Sequence, residues 1–283
     1  TEKTAETYTG NIRRFFDWTV SEGITAINRQ TVRDYRAHLL KTYKPTTAQG
    51  YLMAVKLFFK WTASAGICPN FAENVHGISL DNEEFLKDYL TPAQFRDVLG
   101  SIDRSSLTGL RDYALILLIG TAGLRTIEVS RAQICDMKPR AGQMVLYIQG
   151  KGKTDKSRFV KLSDATEKAL RDYLSTRKEK DTKAPLFASL SNRNACGDPL
   201  NSRSISRIIK TRFRSCGLDS ERLTAHSLRH TAATLNLLAG GSVEETQQLL
   251  RHKSPQMTMR YIHALDRDSN NSEQRITDFL FSA

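Results

Sequence analysis

Four of the six histidines, His226, His230, His252 and His263, fall in the last third of the chain, and Arg229 stands three residues after His226. On a helix that spacing puts His226 and Arg229 on one face. The His226/His230 pair, at i and i+4, also has the spacing of a helical zinc site. However, the Glu of a HExxH motif is missing, and a guanidinium beside His226 repels a divalent ion, so an anion site ranks above a metal. Arginine and histidine together suit a phosphodiester under attack, whose non-bridging oxygens gain negative charge that planar guanidinium groups meet with charge-assisted hydrogen bonds. Arg125 and Arg229 are candidates to clamp both oxygens. No GxSxG elbow occurs and no cysteine lies beside the histidines in sequence, whereas Tyr261 follows His252 by nine residues, after a Ser254-Pro255 helix start. Tyr261 is therefore the candidate nucleophile, and a phenol of ordinary pKa about 10 needs neighbouring cations to ionise.

These groups need rigid elements to hold them. In the first part, Tyr8, Ile12, Phe15 and Phe16 share one helical face; Val32, Tyr35, Leu39 and Leu40 follow, and then Leu52, Val55, Phe58 and Phe59 after Pro45. This predicts a small all-helical bundle. Two of its helices end alike, Phe15-Phe16-Asp17-Trp18 to Gly23-Ile24 and Phe58-Phe59-Lys60-Trp61 to Gly66-Ile67, each closing on a glycine suited to the left-handed position after a helix. Similar core helices with similar caps account for the repeat. Periodicity fades between about residues 70 and 88, which predicts a linker. The second part restarts at Thr91-Pro92-Ala93-Gln94, a capping box with proline at the first helical position, and residues 112–121 read as a buried helix. Residues 145–148 and 159–162 are short β-prone runs that bracket Gly150-Lys151-Gly152-Lys153, an antiparallel hairpin with a basic loop. Helical periodicity returns over 164–177 and 202–213, and Ser242 with Glu245 and Ser254-Pro255 mark further helix starts. The expected fold is mainly α: an N-terminal helical bundle over 1–85 and a mostly helical domain over 86–283 with a small antiparallel β-sheet.

The 283 residues carry 42 Lys and Arg against 30 Asp and Glu, a net charge of +12. Residues 1–85 hold 10 basic and 9 acidic side chains, leaving 32 and 21, or +11, in 86–283. A polyanion partner for the second part follows from that excess. Cys68, Cys135, Cys196 and Cys216 show no CxxC pair or zinc spacing and read as reduced thiols. No apolar run approaches the roughly 18 residues of a membrane span and no signal-peptide core is visible, so a cytoplasmic protein is expected, with no membrane partner. Thr1 in place of an initiator Met fits either a fragment or a processed product and leaves room for an N-terminal module before it.

Ala122-Gly123-Leu124-Arg125 with Glu128, Gly150-Lys151-Gly152, His226-Ser-Leu-Arg229-His230, Leu250-Arg251-His252 and Arg260-Tyr261-Ile262-His263 occur in the order and approximate spacing seen in the tyrosine recombinases. The chain resembles that family, which includes phage integrases and the Xer recombinases, over nearly its whole length; any one motif is weak and five in order are specific. The resemblance implies a core-binding DNA-binding domain before the catalytic one. It implies that Arg125 and Arg229 bind the scissile phosphate, that Lys151 protonates the leaving 5′-oxygen with Lys153 as the alternative, and that His226 assists proton transfer. His252 would orient the phosphate or the nucleophile, Tyr261 would attack, and Glu128 would orient an arginine. It further implies double-stranded DNA recombination sites as substrate, a homotetramer on DNA joined through a tail at about 267–283, and possible accessory bending or directionality factors. One phosphoester replaces another, so no cofactor is expected, and no Walker loop or carboxylate pair is seen.

One departure stands out: Arg251 occupies the place of the glycine in the family's Leu-Gly-His. Either the local turn differs, or Arg251 points outward toward DNA. The departure leans toward a mobile-element integrase over a chromosomal Xer-type dimer resolvase. Type IB topoisomerases and telomere resolvases share the chemistry but fit the domain layout less well. A nonenzymatic DNA-binding regulator would explain the charge and not the motifs.

Overall fold

The computed structural model describes residues 2–79, 88–150, 152–179, 181–190 and 197–281. The chain divides into two compact units, Thr1–Phe85 and Leu86–Ala283.

In the first unit, α1 (Glu2–Ser21), α2 (Arg29–Thr42) and α3 (Pro45–Ser64) pack on one another. Asn28 caps α2 in a reciprocal box with Thr31, and Pro45 opens α3 where its missing N–H costs nothing. The predicted stripes meet in one aromatic core: Phe15 lies edge-on to Tyr35 and Phe59, at 4.9 and 5.8 Å between ring centroids, with Val32, Leu39, Leu52 and Val55 around them. Leu40 faces outward instead. The repeated helix ends diverge as well: Gly23 and Gly66 both take left-handed φ, but Trp18 packs on the core while Trp61 is 58% exposed.

The predicted linker is shorter than its composition suggests. Ala72, Val75 and Ile78 are buried in the bundle's core, the Val75 carbonyl accepts from Lys56 Nζ at 2.6 Å, and the Ile78 N–H donates to Gln49 Oε1 at 2.8 Å. Residues 70–78 thus finish the bundle. The remainder of the expected linker, 80–87, lies outside the described residues.

The second unit runs α4 (Pro92–Gly100), α5 (Leu107–Ala122), α6 (Thr126–Ser130), β1 (Met137–Arg140), β2 (Gln143–Ile148), β3 (Arg158–Lys161), α7 (Asp164–Ser175), α8 (Ser202–Ser215), α9 (Ala225–Leu238), α10 (Val243–Leu250), α11 (Gln256–Ser269) and α12 (Ser272–Phe281). α5 is the axis, buried all round from Ala114 to Ile119 and packed by α7 and α9. The sheet is antiparallel in the order β1-β2-β3, with Leu146 opposite Met137 and Val160; Leu146, Ile148 and Val160 face the core, and Val145, one residue out of phase, is buried on the other face. The mainly α fold with one small antiparallel sheet is as the sequence predicts. β1 was not anticipated, because Met137-Lys138-Pro139-Arg140 is short and charged and holds a proline, a combination tolerated on an edge strand.

Charge is also used to fasten α5 to α8. Asp112 is buried; one carboxylate oxygen accepts from Arg111 Nε and Nη2 at 3.0 and 2.7 Å, and the other from Arg212 Nε and Nη2 at 3.0 and 2.6 Å. The C-terminal segment holds a further correction. α11 continues through Ser269 and α12 starts at Ser272, so the expected polar tether of 267–273 reduces to a break at Asn270-Asn271.

Candidate active site

Three structural elements converge here. The first is the turn after α5. Gly123 ends that helix at φ 57° and ψ 37°, and a Cβ on it would come within 2.7 Å of Leu250 Cδ2, so glycine is demanded both by the backbone and by the close approach of α10's last turn. The chain then turns to Arg125 at the N-cap of α6. Glu128, buried on the first turn of α6, accepts from the Arg125 N–H at 2.9 Å and from Arg125 Nη1 at 3.0 Å. A carboxylate at a helix N-terminus is favoured by the helix dipole, and here it also fixes a guanidinium.

The second element is α9, which carries His226, Arg229 and His230. Arg229 is 1% exposed, the largest fully buried side chain among the described residues, and donates Nη1 to the Gly123 carbonyl and Nη2 to the Leu250 carbonyl. It thereby joins the end of α5 to the end of α10. Burial, then the charges of Arg125 and Arg251, lower its pKa to about 9 against the pull of Glu128, which leaves it cationic at neutral pH.

The third element is the turn from α10 into α11. Arg251 holds φ 55° and ψ 43°, the left-handed geometry of a helix C-cap, where a non-glycine residue costs about 1–2 kcal/mol. A glycine adopts that turn freely, and the side chain does not take the expected outward course. Its guanidinium turns inward, Nη1 donating to the Ala122 and Leu249 carbonyls at 3.3 and 2.7 Å, Nη2 to the Gly123 carbonyl and Glu128 Oε2 at 3.0 and 3.1 Å. Glu128 is thus shared by two arginines.

His252 follows, with Nδ1 3.0 Å from the hydroxyl of buried Thr258. Burial first, and then Arg229, Arg125, Arg251 and His226, push its pKa down to about 4, so the ring is neutral at pH 7. Tyr261, on α11, is 6% exposed. Its ring stacks with His252 at 6.2 Å and meets His230 at 5.2 Å, while His230 lies edge-on to His226 at 4.7 Å. The cations expected beside the phenol are present, and Arg229, Arg125 and Arg260 all favour its ionisation. Burial outweighs them and raises the phenol above its ordinary pKa.

Five of the six predicted site residues, Arg125, His226, Arg229, His252 and Tyr261, are brought together from α6, α9 and the α10–α11 region. Lys151 lies outside the described residues. Lys153, its alternative, sits in the β2–β3 loop, where its N–H donates to the Gly150 carbonyl at 3.1 Å and its carbonyl accepts from Gln149 Nε2 at 2.7 Å. Sequence reasoning missed the inward Arg251 and the Thr258 partner of His252. The left-handed turn is signalled by the helix-stop pattern after 242–250; the direction of the side chain has no sequence signal. Among the described residues no three His, Cys, Asp or Glu side chains group as a metal site, and no helix is long and apolar enough to cross a membrane.

The site is thus a buried phenol beside two buried or half-buried arginines and two histidines, on a mostly helical unit with one small sheet. The chain belongs to the phage integrase family, whose model matches residues 88–268; the N-terminal SAM-like domain of phage integrases matches residues 1–67. A tyrosine recombinase of Synechococcus elongatus is 33% identical over 172 residues, 60% of this chain and 52% of that protein. Tyrosine recombinase XerC of Pelobacter propionicus is 35% identical over 160 residues, 56% of this chain and 50% of that protein. The matched stretch thus spans about half the length of these relatives. The fold is similar to that of the XerH site-specific recombinase bound to palindromic difH substrate in a post-cleavage complex, with a TM-score of 0.75 and 21% identity, over 95% of this chain and 79% of that one.

Proposed function

We propose that this protein is a site-specific DNA recombinase that breaks and rejoins strands through a covalent bond between Tyr261 and a 3′-phosphate. The observation that supports this most directly is the packing of Tyr261 against His252 and His230 within the field of Arg125 and Arg229, side chains drawn from positions up to 136 residues apart in sequence. In this reading Arg125 and Arg229 hold the non-bridging oxygens, and neutral His252 orients the phosphate or the phenol. His226 assists removal of the phenol proton. The Tyr261 oxygen attacks phosphorus, the bond to the 5′-oxygen breaks, and that oxygen takes a proton from Lys151. A 5′-hydroxyl of the partner strand then reverses the exchange. Bound phosphate brings negative charge beside Arg229 and Arg125 and offsets their pull on the phenol, so a group that takes the Tyr261 proton as the oxygen attacks is needed. The nonenzymatic regulator remains the alternative from another class, and it leaves this side-chain set without a role.

The test is capture on a nicked suicide substrate, read as a protein–DNA band on a denaturing gel. The band is expected to form at the same rate in excess EDTA, because the anion is met by arginines. Arrest by chelation with recovery on adding Mg²⁺ or Zn²⁺ would restore the metal reading of His226 and His230.

The biological role we assign is that of a mobile-element integrase, supported by Arg251 in place of the family glycine. A Xer-type resolvase is the second reading, favoured by the XerC name of a relative. Sequencing the DNA trapped on Tyr261 separates the two, by element ends or by a chromosomal dimer-resolution site. The substrate would be double-stranded recombination sites held by a homotetramer, with accessory bending or directionality factors as possible partners. Residues 1–85 would act as the core-binding domain and 86–283 as the catalytic domain.

The tail supports the tetramer. α12 exposes Ile276, Phe279, Leu280 and Phe281, Phe279 by 85%, and a ten-residue helix is unstable alone in water. Covering that stripe with a neighbouring subunit would tie active sites together. Deleting residues 274–283 is expected to leave single-site binding intact and to weaken synapsis, as seen by native gel shift on paired sites. Normal assembly by the truncated chain would refute it.

A further inference from the structure

Arg251 spends backbone strain to put a buried guanidinium where a glycine would complete the same turn. Its two terminal nitrogens reach four acceptors: the carbonyls of Ala122 and Gly123 at the end of α5, the Leu249 carbonyl on α10, and Glu128 on α6. A purely space-filling side chain has no need of that set. The acceptors belong to the segments that carry the candidate chemistry. Glu128 is the group that holds Arg125 by its backbone and its guanidinium, the Gly123 carbonyl is shared with Arg229, and the residue after Arg251 is His252.

We propose that Arg251 is a positioning residue for strand cleavage, which locks Glu128 and the 122–123 turn so that Arg125 and Arg229 present a fixed pair of guanidinium groups to the scissile phosphate. The inference rests on the recombinase reading above. Glu128, with one oxygen bonded to the Arg125 N–H and to Arg251 and the other to Arg125 Nη1, cannot rotate while both arginines are seated. Without Arg251, the carboxylate keeps one partner and regains freedom to swing, and the Arg125 fork swings with it. Arg251 also adds a third positive charge behind the phosphate site, contributing to the low pKa of His252. A fork fixed before substrate arrives need not reorganise as charge develops, which is where such groups gain their effect.

Arg251→Gly is the informative variant, because glycine adopts φ 55° freely and leaves the turn intact. Single-turnover cleavage at saturating DNA is expected to slow by about 10- to 100-fold, the scale of a small misplacement of catalytic groups, with DNA affinity little changed. Arg251→Lys, which keeps the charge and loses the fork, should recover part of that rate. In the Arg251→Gly, Glu128→Gln double variant the losses should not multiply, since both act through Arg125. The ring of His252, followed by NMR, should titrate higher in Arg251→Gly than in the parent. Equal cleavage rates for the parent and Arg251→Gly would overturn the proposal. So would a slowing that tracks a lowered melting temperature and multiplies with Glu128→Gln, since that is general loosening. A parent chain that traps no DNA at all would sink the recombinase reading, and this inference with it, whereas an active parent with an equally active Arg251→Gly sinks the inference alone.

Discussion

Tyr261→Phe is expected to abolish covalent attachment to DNA, a loss of more than about 10⁴-fold on the scale of nucleophile removal in other covalent enzymes. The same variant should bind DNA within about tenfold of the parent, the most that one neutral hydrogen bond contributes. Both halves follow from the geometry. The ring supplies the packing against His230 and His252, which phenylalanine keeps, and on the proposed function the hydroxyl is the nucleophile, which phenylalanine lacks. The raised pKa keeps the buried phenol un-ionised at neutral pH, so the substitution removes one neutral hydroxyl and should change stability by no more than about 1.5 kcal/mol. The two readings are a suicide-substrate gel for the bond and a filter or gel-shift isotherm for the affinity. A surviving covalent band would show that another residue attacks.

Asp112→Ala is expected to destabilise the second unit by about 3–5 kcal/mol, the cost of leaving buried charge without its partner. Arg111, itself buried, would lose its counter-ion, and the tie from α5 to Arg212 on α8 would be cut. Replacing all three by apolar side chains of similar volume should recover most of that stability, because the attraction in such clusters largely offsets desolvation. Chemical denaturation of the three variants reads both effects. A cost below about 1 kcal/mol for Asp112→Ala would mean that water already reaches the cluster.

How much of this was legible in the sequence depends on whether a feature is local. Stripes such as Leu52, Val55 and Phe59 report what a helix buries, and Thr91 with Gln94 or Ser242 with Glu245 report where one begins, because cap and periodicity lie within one or two turns. The ordered motifs named the residues of the site without saying how they meet. What they hid is long-range: Arg229 donates to carbonyls at 123 and 250, and a backbone acceptor has no side-chain identity to read. Arg251 was hidden for the same reason. The missed β1 is a different failure, since an edge strand needs neither alternation nor freedom from proline. Residues 70–78 read as linker because the acidic and polar run at 81–84 follows so closely, although Ala72, Val75 and Ile78, three residues apart, bury as firmly as those of a helix.

The bridge that Arg229 makes between residues 123 and 250 also orders events during synthesis. A chain emerging from the ribosome as far as residue 224 already holds Arg125, Glu128 and most of the basic surface of the second unit, but none of Arg229, Arg251, His252 or Tyr261. Until α9 and α10 have emerged and α9 has seated against α5, the Gly123 carbonyl has no guanidinium to accept from, and the site lacks Arg229, His252 and Tyr261. On the proposed function, a nascent or prematurely terminated product of that length would carry basic surface without Arg229, His252 or Tyr261, and the means of cutting would arrive only with the final helices of the unit.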